Sequence, residues 1–305
     1  MGAIGPLKGP QAVVGSPRRV YGPSMSSVRR VQRLAPEVTR LWLDAPRVAR
    51  HWSAGQFVIV RVDHDGERIP LTIAAGDPDE GWISLIVQNV GATTARLTRL
   101  EAGDEVVDVA GPLGRPTDID HYGTVVVIGG GVGTAIAYPS AGALAAAGNR
   151  VIAIVGGRSR PYVLLEDELA EVCDRVIPVT DDGSHGVHGL VTDALAMVLA
   201  SEPVDRVLAI GPIPMMRAVA ELTRPAGLPT VVSLNPIMVD GTGMCGGCRV
   251  LVGGETRFAC VDGPEFDAHQ VDFEVLARRN RAYATFEAAE RDRCVSIGIS
   301  GEVEP

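Results

Sequence analysis

The stretch TVVVIGGGVGT, residues 124–134, sets the reading of the whole chain. Val125 to Ile128 run directly into three glycines, and Gly133 precedes Thr134 and an alanine-rich stretch. That order predicts a buried strand, a tight turn and a helix whose first amides face an anion beyond the strand end. Gly129, Gly130, Gly131, Val132 and Gly133 are the candidate cradle for a nucleotide. The spacing departs from the G-x-G-x-x-G fingerprint: Ala135 and Ile136 stand where another glycine is required. The loop therefore points to a different nucleotide-binding α/β type. Plain strand–helix packing is the competing reading of the same glycines.

Downstream, apolar runs at 151–155, 176–179, 206–210 and 230–234 alternate with helix-like stretches, the pattern of a parallel sheet. The helix after 133 is expected to stop at Gly148-Asn149. Thr180-Asp181-Asp182-Gly183-Ser184 and Gly211-Pro212-Ile213-Pro214-Met215-Met216 each follow a strand, where ligands gather. Arg158 and Arg160 close the second strand and lean toward NADP; solvated loop arginines are the alternative. His185, His188 and His269 lie in loops without a metal-ligand pattern and read as solvated.

Upstream, residues 28–110 read as short alternating strands, among them 38–43, 56–62 and 82–87, punctuated by turn signals such as Asp65-Gly66. That spacing predicts a small antiparallel β-barrel, ended by Gly111-Pro112-Leu113-Gly114. Within it, Arg68 precedes Pro70, Leu71 and Thr72: an arginine able to fork onto a diphosphate, then backbone able to line a flat ring. Gly91, Thr93 and Thr94 open a helix with free amides and two hydroxyls, which suits a second diphosphate contact; simple helix capping explains the threonines equally. Together, and ahead of an α/β half, the two stretches make a flavin site.

Near the C-terminus, Asp240, Cys245, Cys248 and Cys260 have the spacing D-x4-C-x2-C-x11-C. Plant-type two-iron ferredoxins use C-x4-C-x2-C and a distant fourth cysteine. Aspartate occupies the first position here. Glycines at 241, 243, 246 and 247 leave room for backbone amides to approach cluster sulfides. A zinc knuckle is the alternative, although zinc sites favour two paired ligand units, and Asp240 also fits an ordinary turn before Gly241.

The remaining composition sets limits. The 305 residues carry a net charge of −9, which disfavours a nucleic-acid surface. No apolar run is long enough to span a membrane. Five cysteines, three of them clustered, and no secretory signal fit a reducing cytoplasm. Cys173 and Cys294 stand alone as incidental thiols. The expected organisation is a flexible extension over 1–24, an FAD-binding β-barrel over 25–119, a parallel-sheet NAD(P)-binding α/β domain over 120–234, and a [2Fe–2S] loop module over 235–305. The last includes a polar terminal helix over 273–292.

The order R-x-P-L-T, G-x-T-T, GGGVG, TDDGS, GPxxMM and then VDGTGMCGGCRV resembles the ferredoxin–NADP⁺ reductase superfamily, from about residue 28 to 280. Within it the chain resembles the small subunits of NADH-dependent ferredoxin:NADP⁺ oxidoreductases, also called sulfide dehydrogenases. The electron-transfer subunits of dihydroorotate dehydrogenase are more distant, with four cysteines where this chain has Asp240. The resemblance implies one FAD on the Arg68 and Gly91 stretches, and a nicotinamide nucleotide on Gly129 to Gly133 with Gly211 and Pro212. It places a [2Fe–2S] cluster on Asp240 and the three cysteines. It also implies a heterodimer with a larger glutamate-synthase-like flavoprotein carrying FAD and [4Fe–4S] clusters, through which ferredoxin is reached. Two other readings stay open: service to dihydroorotate dehydrogenase or another oxidoreductase, and a zinc-bearing, nucleotide-sensing regulatory subunit.

Overall fold

The computed structural model describes residues 25–283. The extension over 1–24, the second half of the helix expected over 273–292, and Cys294 lie outside the described residues.

The first half is one antiparallel sheet. Its strands are β1 (Ser26–Ala35), β2 (Val38–Asp44), β3 (Phe57–Arg61), β4 (Ile69–Asp77), β5 (Trp82–Gln88), β6 (Glu105–Val106) and β7 (Asp108–Leu113). Two short helices, α1 (Pro46–Ala49) and α2 (Ala92–Leu97), fill the connections. The strand order is β6-β1-β2-β5-β4-β3-β7. The end strands β6 and β7 are separated in sequence only by Val107, so the sheet curls until its edges nearly meet. The period-two pattern turns Leu41, Leu43, Val58, Val60, Ile73, Ile83, Leu85 and Val87 into one interior cluster.

The second half is a mainly parallel sheet. Its strands are β8 (Thr124–Gly130), β9 (Arg150–Gly157), β10 (Arg175–Thr180), β11 (Val187–His188), β12 (Arg206–Ile210) and β13 (Thr230–Ser233). They alternate with α3 (Thr134–Ala146), α4 (Glu166–Val172), α5 (Val191–Ser201) and α6 (Ile213–Thr223). The order β11-β10-β9-β8-β12-β13 means the chain steps away from β8 on one side and returns to pair β12 on the other. The crevice outside the ends of β8 and β12 is therefore the topological switch point, where open α/β sheets bind ligands.

The remaining elements are β14 (Arg249–Val252), β15 (Glu255–Phe258), α7 (Ala259–Asp262), β16 (Glu265–Asp267) and α8 (Phe273–Asn280). The module expected over 235–305 holds more than a loop and a terminal helix: three short strands follow Cys248. β14 and β15 form a hairpin, and β16 pairs antiparallel with β13 at the edge of the parallel sheet. These strands have only three or four residues and the hairpin arm Glu255-Thr256-Arg257 is polar and exposed, so no alternating pattern betrays them.

Barrel and α/β domain meet through a buried apolar cluster. Ala35, Val38, Ala74 and Ile86 from the barrel share it with Ala135, Leu164 and Leu165. Val132 and Tyr138 pack against the same cluster. β4 thus carries the expected flavin residues at 70–72 and, two residues on, the contact that brings the nucleotide loop alongside.

Candidate functional site

At the switch point, the glycines divide into two kinds. A Cβ on Gly129 would lie 2.6 Å from Thr134 Cα, one on Gly130 2.4 Å from Met215 Sδ, and one on Gly133 2.3 Å from the Ile210 carbonyl oxygen. These three let strand, helix and the β12 end pack closely. Gly131 differs: its φ is +56° and a Cβ there meets nothing within 4 Å. The packing reading therefore accounts for three of the glycines, and Gly131 with Val132 forms the open lip of the crevice. Gly211 closes the other lip; a Cβ there would be 3.2 Å from Gly130 Cα, so the two loops touch. Pro212 caps α6 and is exposed.

The candidate flavin face lies on β4, whose Pro70, Leu71 and Thr72 pair with Ile59, Val58 and Phe57 of β3. Pro70, Leu71 and Thr72 are half-buried, and Arg68 just before them is exposed. Gly91 opens α2 with open space where a side chain would be. The Thr94 hydroxyl accepts the amides of Val90 (3.0 Å) and Gly91 (2.9 Å), and Thr93 Oγ1 donates to Glu67 Oε2 at 3.4 Å. Thr94 thus ties the turn that opens α2.

Among the other strand-end residues, the Arg158 guanidinium lies 4.0 Å over the Tyr162 ring and 3.4 Å from Glu37 Oε2. Two of the histidines read as solvated are instead tied internally. His185 Nε2 is 2.7 Å from Glu166 Oε2, and His269 Nε2 is 3.0 Å from Thr223 Oγ1.

The four candidate ligands fall into two pairs. Cys248 and Cys260 are both buried, with their Sγ atoms 3.2 Å apart. Burial first, then the adjoining Cys248 thiol, push the Cys260 thiol well up. The other pair is Asp240 with the exposed Cys245. Asp240 Oδ1 accepts the Thr242 amide at 2.8 Å and Oδ2 accepts the Cys245 amide at 2.7 Å. The Thr242 amide first, and then that of Cys245, hold the Asp240 carboxyl below its ordinary range. Each carboxylate oxygen keeps a second lone pair for a metal. Among the described residues no three His, Cys, Asp or Glu side chains are arranged to hold one metal ion. Two pairs suit a two-iron cluster, with two protein ligands to each iron, better than a single zinc. The turn that shapes the loop uses Gly241 and Gly243, at φ +74° and +84°. The residues present fit the cluster.

Sequence reasoning missed Glu265, whose partners lie far away in the chain. Its Oε1 accepts from Thr117 Oγ1 at 2.7 Å, and Thr117 Oγ1 is 2.9 Å from Ser140 Oγ. The group links the interdomain linker, α3 and β16. Burial pushes its pKa up to about 7, against the opposing effects of the Thr117 hydroxyl and the Arg206 charge. A carboxyl with a raised pKa binds its proton more tightly folded than unfolded, so stability falls as pH rises from the unfolded value through about 7, then levels. Glu265→Gln is expected to remove this loss, worth up to roughly 3 kcal/mol. Thermal melts between about pH 5 and pH 8 would show it: the wild-type decline should exceed that of the variant. Parallel declines would show that Glu265 does not titrate in this window.

Comparison with known proteins agrees with the geometry. Residues 235–272 match the family described as the iron–sulfur cluster binding domain of dihydroorotate dehydrogenase B. The chain is 44% identical over 283 residues to a Thermotoga maritima homolog of the dihydroorotate dehydrogenase B (NAD⁺) electron transfer subunit, covering 93% of this chain and 99% of that one. It is 36% identical over 250 residues to the electron transfer subunit of that enzyme from Geobacillus thermodenitrificans, covering 79% and 95%. The solved structure of an NADH-dependent reduced ferredoxin-NADP oxidoreductase includes a chain 42% identical, with a TM-score of 0.85, covering 90% of this chain and all of that one. An Amycolatopsis cytochrome P450 reductase shares the fold at 24% identity, with a TM-score of 0.55 over about two thirds of each chain. Among the described residues no helix is long and apolar enough to cross a membrane.

Proposed function

The chain belongs to the family of dihydroorotate dehydrogenase B-type electron transfer subunits, with the ferredoxin reductase fold, and on that premise we propose that it passes electrons between NAD(P)H and a larger oxidoreductase partner through FAD and a [2Fe–2S] cluster. One observation carries the reading. β3 pairs with the candidate flavin strand on one side, Ile59 opposite Pro70, while Ile59 also abuts the cluster loop: a Cβ on Gly241 would lie 3.0 Å from Ile59 Cγ1. The candidate flavin strand and the Asp240–Gly241 turn of the cluster loop thus both contact β3.

The residues divide the work. The Arg68 charge and the opening of α2 at Gly91 hold the diphosphate, while Pro70, Leu71 and Thr72 line the ring. Gly131 and Val132, facing Gly211 and Pro212, seat the nicotinamide nucleotide beside it. Asp240 with Cys245, and Cys248 with Cys260, hold the two irons. The flavin supplies two-electron acceptance and one-electron release, and the cluster single-electron relay. No side-chain acid or base is required.

The finer assignment is a ferredoxin:NAD(P) transhydrogenase subunit, electron-bifurcating in company with its partner. Its support is the 42% identity to the ferredoxin-NADP oxidoreductase chain and the aspartate at 240. Met244 is 90% exposed, and Val239 and Val261 beside it are also exposed, an apolar collar around Cys245 suited to a partner surface. Anaerobic purification from the native host tests the assignment. Stoichiometric co-elution of a glutamate-synthase-like flavoprotein supports it; co-elution of a dihydroorotate dehydrogenase catalytic subunit sinks it in favour of the alternative. Asp240→Cys is expected to leave the cluster assembled and move its midpoint potential in an EPR-monitored titration. An unchanged potential would argue against ligation by Asp240.

A further inference from the structure

α8 ends beneath the cluster loop. Its Phe273 and Leu276 belong to the same buried cluster as Cys248 and Cys260, which fixes the direction its last residues face. Arg279 Nη2 donates to the Gly247 carbonyl at 3.1 Å, and Asn280 Nδ2 donates to the Asn235 carbonyl at 3.0 Å. The Gly247 amide donates to Cys245 Sγ at 3.4 Å. Both backbone polar groups of Gly247 are therefore held, one by a candidate ligand and the other by Arg279. Arg279 is half-buried and has no ion pair with a described carboxylate, and its Nε is buried without a hydrogen-bond partner among the described residues. The iron–sulfur family match stops at residue 272, so α8 lies outside it.

We propose that Arg279 is a positioning residue of the cluster loop, one that clamps Gly247 and lends its charge to the reduced cluster. The inference rests on the reading that Asp240, Cys245, Cys248 and Cys260 hold a [2Fe–2S] cluster. Three thiolates and a carboxylate surround that cluster with negative charge, and reduction adds another. A guanidinium stays protonated throughout. Half-buried, it is incompletely screened by salt. It therefore favours the reduced cluster and raises the potential, as outer-layer groups do at metal sites.

The test is an EPR-monitored redox titration of the purified full chain in three forms: wild type, Arg279→Gln and Arg279→Lys. Glutamine keeps a donor for the Gly247 carbonyl without the charge; lysine keeps the charge. The expected result is a more negative midpoint for Arg279→Gln and a near-native one for Arg279→Lys. Loss of the cluster in Arg279→Gln alone gives the same assignment, the charge then being needed for assembly. An unchanged midpoint in Arg279→Gln, or equal shifts or equal cluster loss in both variants, overturns it. A wild-type protein without a two-iron signal would instead overturn the cluster reading, and this inference with it.

Discussion

Serine in place of Cys248 is expected to abolish the iron–sulfur cluster while leaving the flavin bound and still reducible by nicotinamide nucleotide. Cys248 is 1% exposed and its Sγ sits 3.2 Å from that of Cys260. It shares a core with Val250, Ala259, Phe273 and Leu276, so no other ligand or solvent can take its place. A buried hydroxyl gives up its proton far less readily than a thiol, and iron clusters are held by thiolates. Losing an outer hydrogen-bond partner already costs 10- to 100-fold in metal affinity, so loss of a ligand should cost more than about 100-fold. The cluster absorbance and EPR signal should vanish. Flavin bleaching by NADH or NADPH should persist, because the β4 face and the switch-point crevice lie elsewhere. One-electron delivery to the partner should fall to background. Retention of a native two-iron signal would remove Cys248 from the ligand set.

Alanine at Gly133 is the second large effect. The glycine has ordinary helical angles, φ −58° and ψ −23°, so the backbone conformation suits alanine. The space does not. A Cβ would lie 2.3 Å from the Ile210 oxygen, 2.8 Å from its carbonyl carbon and 2.9 Å from Gly211 Cα. All three are backbone atoms at the end of β12, and relief requires α3 and β12 to part. Overpacking of this kind costs about 3 kcal/mol. The melting temperature should drop, and nucleotide affinity should fall because both lips of the crevice move. Gly131→Ala is the contrast: it meets no atom and suffers only from its positive φ, costing about 1–2 kcal/mol. Equal melting temperatures for the two variants would contradict the division of the glycines.

What the sequence disclosed follows from how local each signal is. The barrel and the parallel sheet were legible because strands such as Val38–Asp44 and Thr124–Gly130 carry their own periodicity. The cluster was legible because three of its four candidate ligands lie in one loop, with Cys260 twelve residues beyond Cys248. The glycine run was legible as a strand–helix turn, whereas what each glycine packs against was not, since that depends on Met215 and Ile210 from other segments. Glu265 and Arg279 carried no signal: their partners lie 148 and 32 residues away, and each is an ordinary charged residue until the fold brings those partners to it. β16 was hidden for a related reason, its three residues becoming a strand only against β13.

The central claim, that this chain is a flavin and two-iron electron carrier, is tested most directly by one measurement. The protein is purified anaerobically, its iron, sulfide, zinc and flavin are quantified, and EPR spectra are recorded before and after NADH or NADPH is added. The account predicts one flavin with two irons and two sulfides per chain, flavin absorbance that bleaches, and a two-iron signal that appears on reduction. A colourless protein holding zinc, with no flavin and no change on adding nucleotide, would contradict it.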